Sequence, residues 1–207
     1  MDRTGDLKLR HAQPSDYERV MAVMDEWWDG RPVSTRMSRV FFAHFSSTSF
    51  VIEADTELVG FLLGFLSQTR ENEASIHFVG VHPDYRGMGF GRRLYERFFA
   101  AARMHERTWV RSITAPCNQG SLAFHRRMGF VVERGDGVID GIPVRLHFAG
   151  EGGHRVVFCR RITPDAWPLA PPLRVEADSC RLVVSAPRPT IVANETRLLG
   201  EELTDCA

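Results

Sequence analysis

The chain of 207 residues holds a single lysine, Lys8, beside 25 arginines. It has no apolar run approaching 18 residues, which argues against a membrane span. It has four cysteines, at 117, 159, 180 and 206, widely scattered and without a CxxC pair. That pattern suits free thiols better than a disulfide frame, and no metal site is expected. Its first six residues carry charges but no apolar segment, so no signal peptide is expected and a cytoplasmic setting is the default. Net charge is missing as well, because 26 basic residues balance 26 acidic ones. Without a field of one sign, nucleic acid is not an expected partner. The arginines sit on no single stretch, so their excess reads as codon usage in a GC-rich genome.

Aromatic residues are lacking at one end only. All 21 lie between Tyr17 and Trp167, and six of the 11 prolines fall between Pro164 and Pro189. A stretch without aromatics buries little area per residue and hardly offsets its own ordering entropy. Residues 1–162 are therefore expected to form the folded unit, and 163–207 a Pro-containing tail or appendage.

What is present has a clear order. Leu7–Ala12 alternates as a half-buried strand does. Ser15-Asp16-Tyr17-Glu18 reads as a capping box, followed by Val20, Met24 and Trp27 on one helical face. A second helix is expected over Thr35–Phe45. Phe50–Glu53 and Leu58–Leu66 flank a turn at Asp55-Thr56-Glu57 and read as a hairpin. Ala74–Val81 is a further strand, and Gly89–Glu106 a helix with Phe90, Leu94 and Phe98 on one stripe. Trp109–Thr114, Phe130–Glu133 and Val156–Arg160 read as strands, and Ser121–Met128 as a short helix. A Gly-rich link covers 135–153. Hairpin strands followed by alternating strands and helices imply an α/β or α+β fold with a mixed sheet.

The densest signal runs Val79-Gly80-Val81-His82-Pro83-Asp84-Tyr85-Arg86-Gly87-Met88-Gly89-Phe90-Gly91. A strand enters a Gly-rich turn, and a long helix follows. Glycines strip the turn of side chains, so backbone N–H groups can approach a ligand where the helix adds its positive end. This is a phosphate or pyrophosphate cradle, with Arg92 and Arg93 beside it to neutralise charge. A P-loop needs a Gly-Lys-Ser/Thr that is absent here. A dinucleotide turn needs Gly-x-Gly-x-x-Gly, and the register here is Gly-x-Gly-x-Gly. Arg-x-x-Gly-x-Gly remains, filled by Arg86, Gly89 and Gly91. Such a register arises by chance in roughly one chain in five of this length. Its position between strand and helix gives it weight.

A second constellation follows after 26 intervening residues, which hold one helix and one strand. Asn118-Gln119-Gly120-Ser121-Leu122-Ala123-Phe124-His125 precedes Arg126-Arg127-Met128-Gly129-Phe130. The chain has returned to the same end of the sheet. Asn118 can offer a donor and an acceptor to a ligand amide, or it can cap a helix. Gly129 reads as a helix C-cap.

Together these motifs resemble the GNAT superfamily of acetyl-CoA-dependent N-acetyltransferases. Arg86-Gly87-Met88-Gly89-Phe90-Gly91 is similar to that family's pyrophosphate motif. Asn118, Ser121 and Phe124 to Phe130 are similar to its downstream Asn motif, and the element order over 7–162 agrees. The resemblance implies a mostly antiparallel mixed sheet flanked by helices, with splayed strands forming a CoA cleft. It implies acetyl-CoA as co-substrate and an amine acceptor, with no membrane or nucleic-acid partner and with a homodimer admitted. Main-chain groups of Val79 and Val81 would pair with the pantetheine amides. Gly80, Met88, Phe90, Arg92, Ser121 and Phe124 would also border the cofactor, and Asn118 would meet the pantetheine or thioester end.

Acetyl transfer to an amine needs a free lone pair, an oxyanion donor and a fate for the thiolate. By the resemblance, a backbone N–H near Val79 polarises the thioester carbonyl. The family's usual acid, a tyrosine after the Asn motif, is His125 here. His125 is either the acid or a non-catalytic substitute. For the base, His77 shares a face with Ser75 and Val79 by strand alternation and could meet the cleft. Arylalkylamine acetyltransferases are similar in carrying His on this strand. A core or surface role for His77 stands beside that reading, as do Glu73, Glu53 and water as bases. Trp28, between the first two helices, is placed to face the acceptor. The other class of function is a non-catalytic acyl-CoA-binding or regulatory module, favoured by the missing tyrosine.

Overall fold

The computed structural model describes residues 7–163. Apart from Thr163, the appendage expected over 163–207 lies outside the described residues. Seven strands form one sheet in the order β1 (Leu7–His11), β2 (Phe50–Ala54), β3 (Glu57–Leu66), β4 (Glu73–Val81), β5 (Trp109–Thr114), β9 (Val156–Arg161) and β6 (Val131–Val132). Every neighbouring pair is antiparallel except β4 and β5. The mixed, mostly antiparallel sheet expected from the motifs is the one observed.

Strand alternation divides the core into two layers. Val51, Phe61 and Leu63 turn to one face and meet Val20, Met24 and Trp27 of α1 (Asp16–Trp27) and Phe42 of α2 (Val40–His44). Phe50, Ile52, Leu62 and Ile76 turn to the other and meet α3 (Phe90–Met104) and α4 (Gln119–Arg127). On α3, Phe90, Leu94 and Phe98 recur every fourth residue and are buried. Each fully buried side chain of this kind contributes about 1.5–3 kcal/mol. α3 ends where Glu106 turns to φ 60° and the Arg107 amide bonds back to Ala102.

Three local readings are corrected. Ser15 makes no side-chain cap bond. The buried carboxylate of Asp16 accepts the Gln13 amide instead and pairs with Arg10. The helix expected over 35–45 is a 3₁₀ turn over Ser34–Arg36 followed by the short α2. The Gly-rich link contains a hairpin, β7 (Gly137–Ile139) and β8 (Ile142–Val144), turned through Asp140 and Gly141, both at positive φ. Of the cysteines, Cys159 is buried in the core, whereas Cys117 is disulfide-bonded, against the expectation of thiols. Among the described residues no helix is long and apolar enough to cross a membrane.

Candidate functional site

The site begins where two parallel strands part. β4 stays paired with β3 as far as Val81 opposite Gly60. Its other edge pairs with β5 only from Glu73 opposite Trp109 to Ile76 opposite Ser112. β5 then follows β9 through Thr114. From His77 onward the facing edge of β4 therefore has no strand partner among the described residues. Its N–H and C=O groups line a wedge that a chain of ligand amides can enter.

The wedge runs into the glycine turn. Gly87 and Gly89 sit at φ +79° and +87°, a region costly for any side chain, and a Cβ at either would meet no protein atom within 4 Å. They are glycine for backbone conformation, and the space beside them is open. Gly89 opens α3 without a side-chain cap. The amides of Phe90, Gly91 and Arg92 then have no carbonyl one turn earlier to bond, and they carry the positive end of the helix. Gly91 has another reason. A Cβ there would come 3.3 Å from the Phe124 ring, so α3 and α4 close on each other at this point. The turn itself is braced by His82, whose Nδ1 accepts the Asp84 amide at 3.2 Å.

The arginines of the motif do other work than expected. Arg86 donates through Nε to the Val81 carbonyl at 3.2 Å and through its other nitrogen to the Trp27 carbonyl. It ties the turn to the end of α1. Arg92 is exposed and pairs with Glu96 at 2.7 Å along the helix.

Asn118 caps α4, its Oδ1 accepting the Ser121 amide at 3.0 Å. The side-chain NH₂ is not used in that bond. Four residues past Ser121, His125 is turned into the core. Its ring lies flat on Phe158, with centroids 4.2 Å apart. Nδ1 is 2.8 Å from the Ser121 carbonyl, which can only accept, so that nitrogen carries the proton. Nε2 accepts the Tyr95 hydroxyl at 2.9 Å. Burial pushes His125 down to about 4, and burial pushes the Tyr95 phenol up. The Tyr95 oxygen also bonds Ser112, at the last paired position before the strands part. A neutral, doubly bonded, buried imidazole offers no proton to the wedge, which corrects the acid reading of His125.

His77 also departs from expectation. The β3–β4 register shifts at this residue, with Leu63 opposite Phe78 but Gly64 opposite Ile76. This bulge breaks the alternation by which Ser75, His77 and Val79 were to share a face. Val79 packs with the α3 layer. His77 lies on the α1–α2 side, stacked on Phe41 with centroids 4.4 Å apart, and burial lowers its pKa. Glu73 is at the opposite end of β4, about 13 Å along the strand from His77 at 3.3 Å per residue. It is paired with Arg111 at 2.7 Å and with Arg70 at 3.1 Å. Glu53 likewise pairs with Arg10 and Arg19. Neither carboxylate is free to act as a base at the wedge. Gly80 backs onto the α1–α2 layer: a Cβ would meet Phe61 at 2.7 Å and Trp28 at 2.9 Å.

The structure thus brings together Val79, Gly80, Val81, Gly87, Met88, Gly89, Phe90, Gly91, Ser121, Phe124 and Asn118 along the wedge and cradle. It sets Glu73 apart and buries His125. The sequence reading missed Tyr95 as the partner of His125, for which the chain offers no local signal.

Comparisons with known proteins agree with this fold. The family model described as "Acetyltransferase (GNAT) family" matches residues 17–130. An L-2,4-diaminobutyric acid acetyltransferase of Nocardia farcinica (strain IFM 10152) is 28% identical over 125 residues, 59% of this chain and 63% of that protein. The chain thus spans less than two thirds of that relative. Among solved structures, Ard1 from Thermoplasma volcanium aligns with a TM-score of 0.60 at 20% identity, covering 76% of this chain and 98% of the other. Diaminobutyrate acetyltransferase EctA from Paenibacillus lautus, solved with its substrate and coenzyme A, aligns at 0.59 and 16% identity, covering 78% and 98%. At these identities the two structures speak for the fold.

Proposed function

The chain belongs to the GNAT acetyltransferase family, and from that premise we propose that it transfers the acetyl group of acetyl-CoA to a primary amine. The observation that carries this is the parting of β4 from β5 directly ahead of an uncapped helix start with two left-handed glycines. Open space at Gly87 and Gly89 and the amides of Phe90, Gly91 and Arg92 suit a pyrophosphate. The unpaired edge of β4, with Val79 and Val81, suits the amides of a pantetheine arm. Asn118 can add its side-chain NH₂ from the far wall of the wedge. Gly80, Ser121 and Phe124 shape that cleft without offering charge.

The reaction needs few groups. The neutral amine nitrogen bonds the acetyl carbon and gives up one further proton to solvent as the amide forms, the C–S bond breaks, and the sulfur leaves with the bonding pair. Main-chain N–H groups near Val79 donate to the thioester oxygen as it gains charge. His77, held neutral by its surroundings, takes the proton that the ammonium must lose before attack. A thiol near pKa 8.5 leaves as thiolate and is protonated from solvent, so no acid is required at His125. A cytoplasmic setting is part of the proposal, as is a folded transferase unit over residues 1–162. The relatives' names make diaminobutyrate one candidate acceptor.

The test is acetyl-CoA-dependent thiol release over a panel of amines, run beside measured CoA affinity. Release with at least one amine supports transfer. Tight CoA binding without release on any amine would assign the chain to the non-catalytic acyl-CoA-binding class.

A further inference from the structure

Resting on the coenzyme cleft proposed above, we infer that Tyr95 is a positioning residue for the coenzyme, setting the place of Asn118 at the wedge through His125. The observation is a buried network of hydrogen bonds that runs in one direction throughout. The Nδ1 proton of His125 goes to the Ser121 carbonyl at 2.8 Å, so Nε2 is bare and accepts the Tyr95 hydroxyl at 2.9 Å. The phenol proton is thereby committed, and the Tyr95 oxygen accepts from the hydroxyl of Ser112. Tyr95, Ser112 and His125 are all buried, so none of them meets solvent or substrate directly.

The network joins three elements at the closed end of the wedge. Ser112 stands opposite Ile76, the last pair before β4 and β5 part. Tyr95 follows Gly91 by one turn of α3, on the face that meets Phe124, and the Tyr95 and Phe124 ring centroids are 5.0 Å apart. His125 and Ser121 belong to α4, and the Ser121 amide is the group that the Asn118 side chain caps. β5 ends at Thr114, so Asn118 takes its place from α4 rather than from the sheet. The first turn of α4 is thus held against the strand edge and against the helix that bears the cradle amides.

Stability alone does not call for this arrangement. Phe99, Phe124, Phe130 and Phe158 surround Tyr95 and His125. Replacing both members of a buried hydrogen bond by apolar groups of the same shape is close to neutral, so aromatic rings alone could fill the space. Packed rings tolerate a range of offsets, whereas a hydrogen bond holds one distance and one angle. What the polar network adds is a single register between α3, α4 and β5.

The test is titration calorimetry of acetyl-CoA into the wild type, Tyr95→Phe, Asn118→Ala and the double variant, each checked for folding by circular dichroism. Tyr95→Phe keeps the ring and removes only the hydroxyl. It is expected to weaken acetyl-CoA about tenfold, within the range for coupled neighbours. In the Asn118→Ala background the same change is expected to weaken it by less than about twofold, because the carboxamide it positions is gone. Ser112→Ala breaks the network from its other end and serves if Tyr95→Phe does not fold. It too is expected to weaken acetyl-CoA only where Asn118 is present. Unchanged affinity in the folded variants, or the same loss with and without Asn118, reduces the network to core packing and overturns the inference. No binding of acetyl-CoA by the wild type overturns the cleft and the inference together. Affinities that follow the expected cycle while no amine is acetylated uphold the inference, and only the transferase reading fails.

Discussion

Acid should weaken this fold through one residue. His125 is 2% exposed, and its burial holds its pKa near 4 against an ordinary 6.5. In the unfolded chain the same imidazole takes up a proton near pH 6.5. Below that pH the unfolded state binds more protons than the native one, so stability falls as pH falls. The contribution is present in full above pH 6.5 and is lost progressively towards pH 4. Each pH unit between the native and unfolded pKa values is worth about 1.36 kcal/mol. The whole effect is therefore about 3 kcal/mol, of which about 2 kcal/mol is lost by pH 5. That is a large part of the roughly 5–15 kcal/mol typical of a domain. The perturbation is His125→Gln, which keeps hydrogen-bonding groups but does not titrate. Urea unfolding followed by circular dichroism at pH 7 and pH 5 supplies the numbers for both proteins. All other ionisable groups are the same in both proteins and cancel in the difference. The wild type is expected to lose about 2 kcal/mol more than the variant between the two pH values. Equal losses would refute the buried, neutral assignment and return His125 to the list of acids.

Other substitutions test the wedge and its supports. Asn118→Ala removes the cap on Ser121 and should cost about 1 kcal/mol in urea unfolding, with weaker CoA binding by titration calorimetry. Arg86→Ala unties the glycine turn from α1 and should cost about 1 kcal/mol. Steady-state kinetics should show KM rising for acetyl-CoA and for the amine alike, because the tie joins both sides of the site. Gly80→Val forces a side chain against Phe61 and Trp28 and should cost about 1–3 kcal/mol, read as a lower Tm.

The parts of the fold that the sequence made legible are those with short-range causes. The apolar stripe of α3 and the glycine turn before it depend on neighbours within a few residues, and both were placed where the structure has them. The same holds for the return of the chain at Asn118, whose capping role was one of two readings kept open. The hairpin at Gly137–Val144 was missed, because the glycines around it read as a link although Asp140-Gly141 between apolar pairs is a turn signal. What stayed illegible depends on distant partners. The face of His77 hangs on one extra residue in the β3–β4 register, which alternation alone assumes away. The burial of His125 hangs on Tyr95, 30 residues earlier on another helix. The inward turn of Arg86 hangs on the Trp27 carbonyl, supplied by α1.

The assignment of the cofactor cleft is most directly tested at Gly89. A valine there carries about 1–3 kcal/mol of backbone strain at φ +87°, and its Cβ meets no protein atom within 4 Å, so the side chain is directed into the open cradle. Titration calorimetry of acetyl-CoA into the wild type and Gly89→Val, with folding checked by circular dichroism, measures the consequence. Saturable binding to the wild type and a loss of at least 100-fold in the folded variant are expected. Binding of equal strength in both proteins would contradict the cradle, and with it the placing of acetyl-CoA in the wedge between β4 and β5.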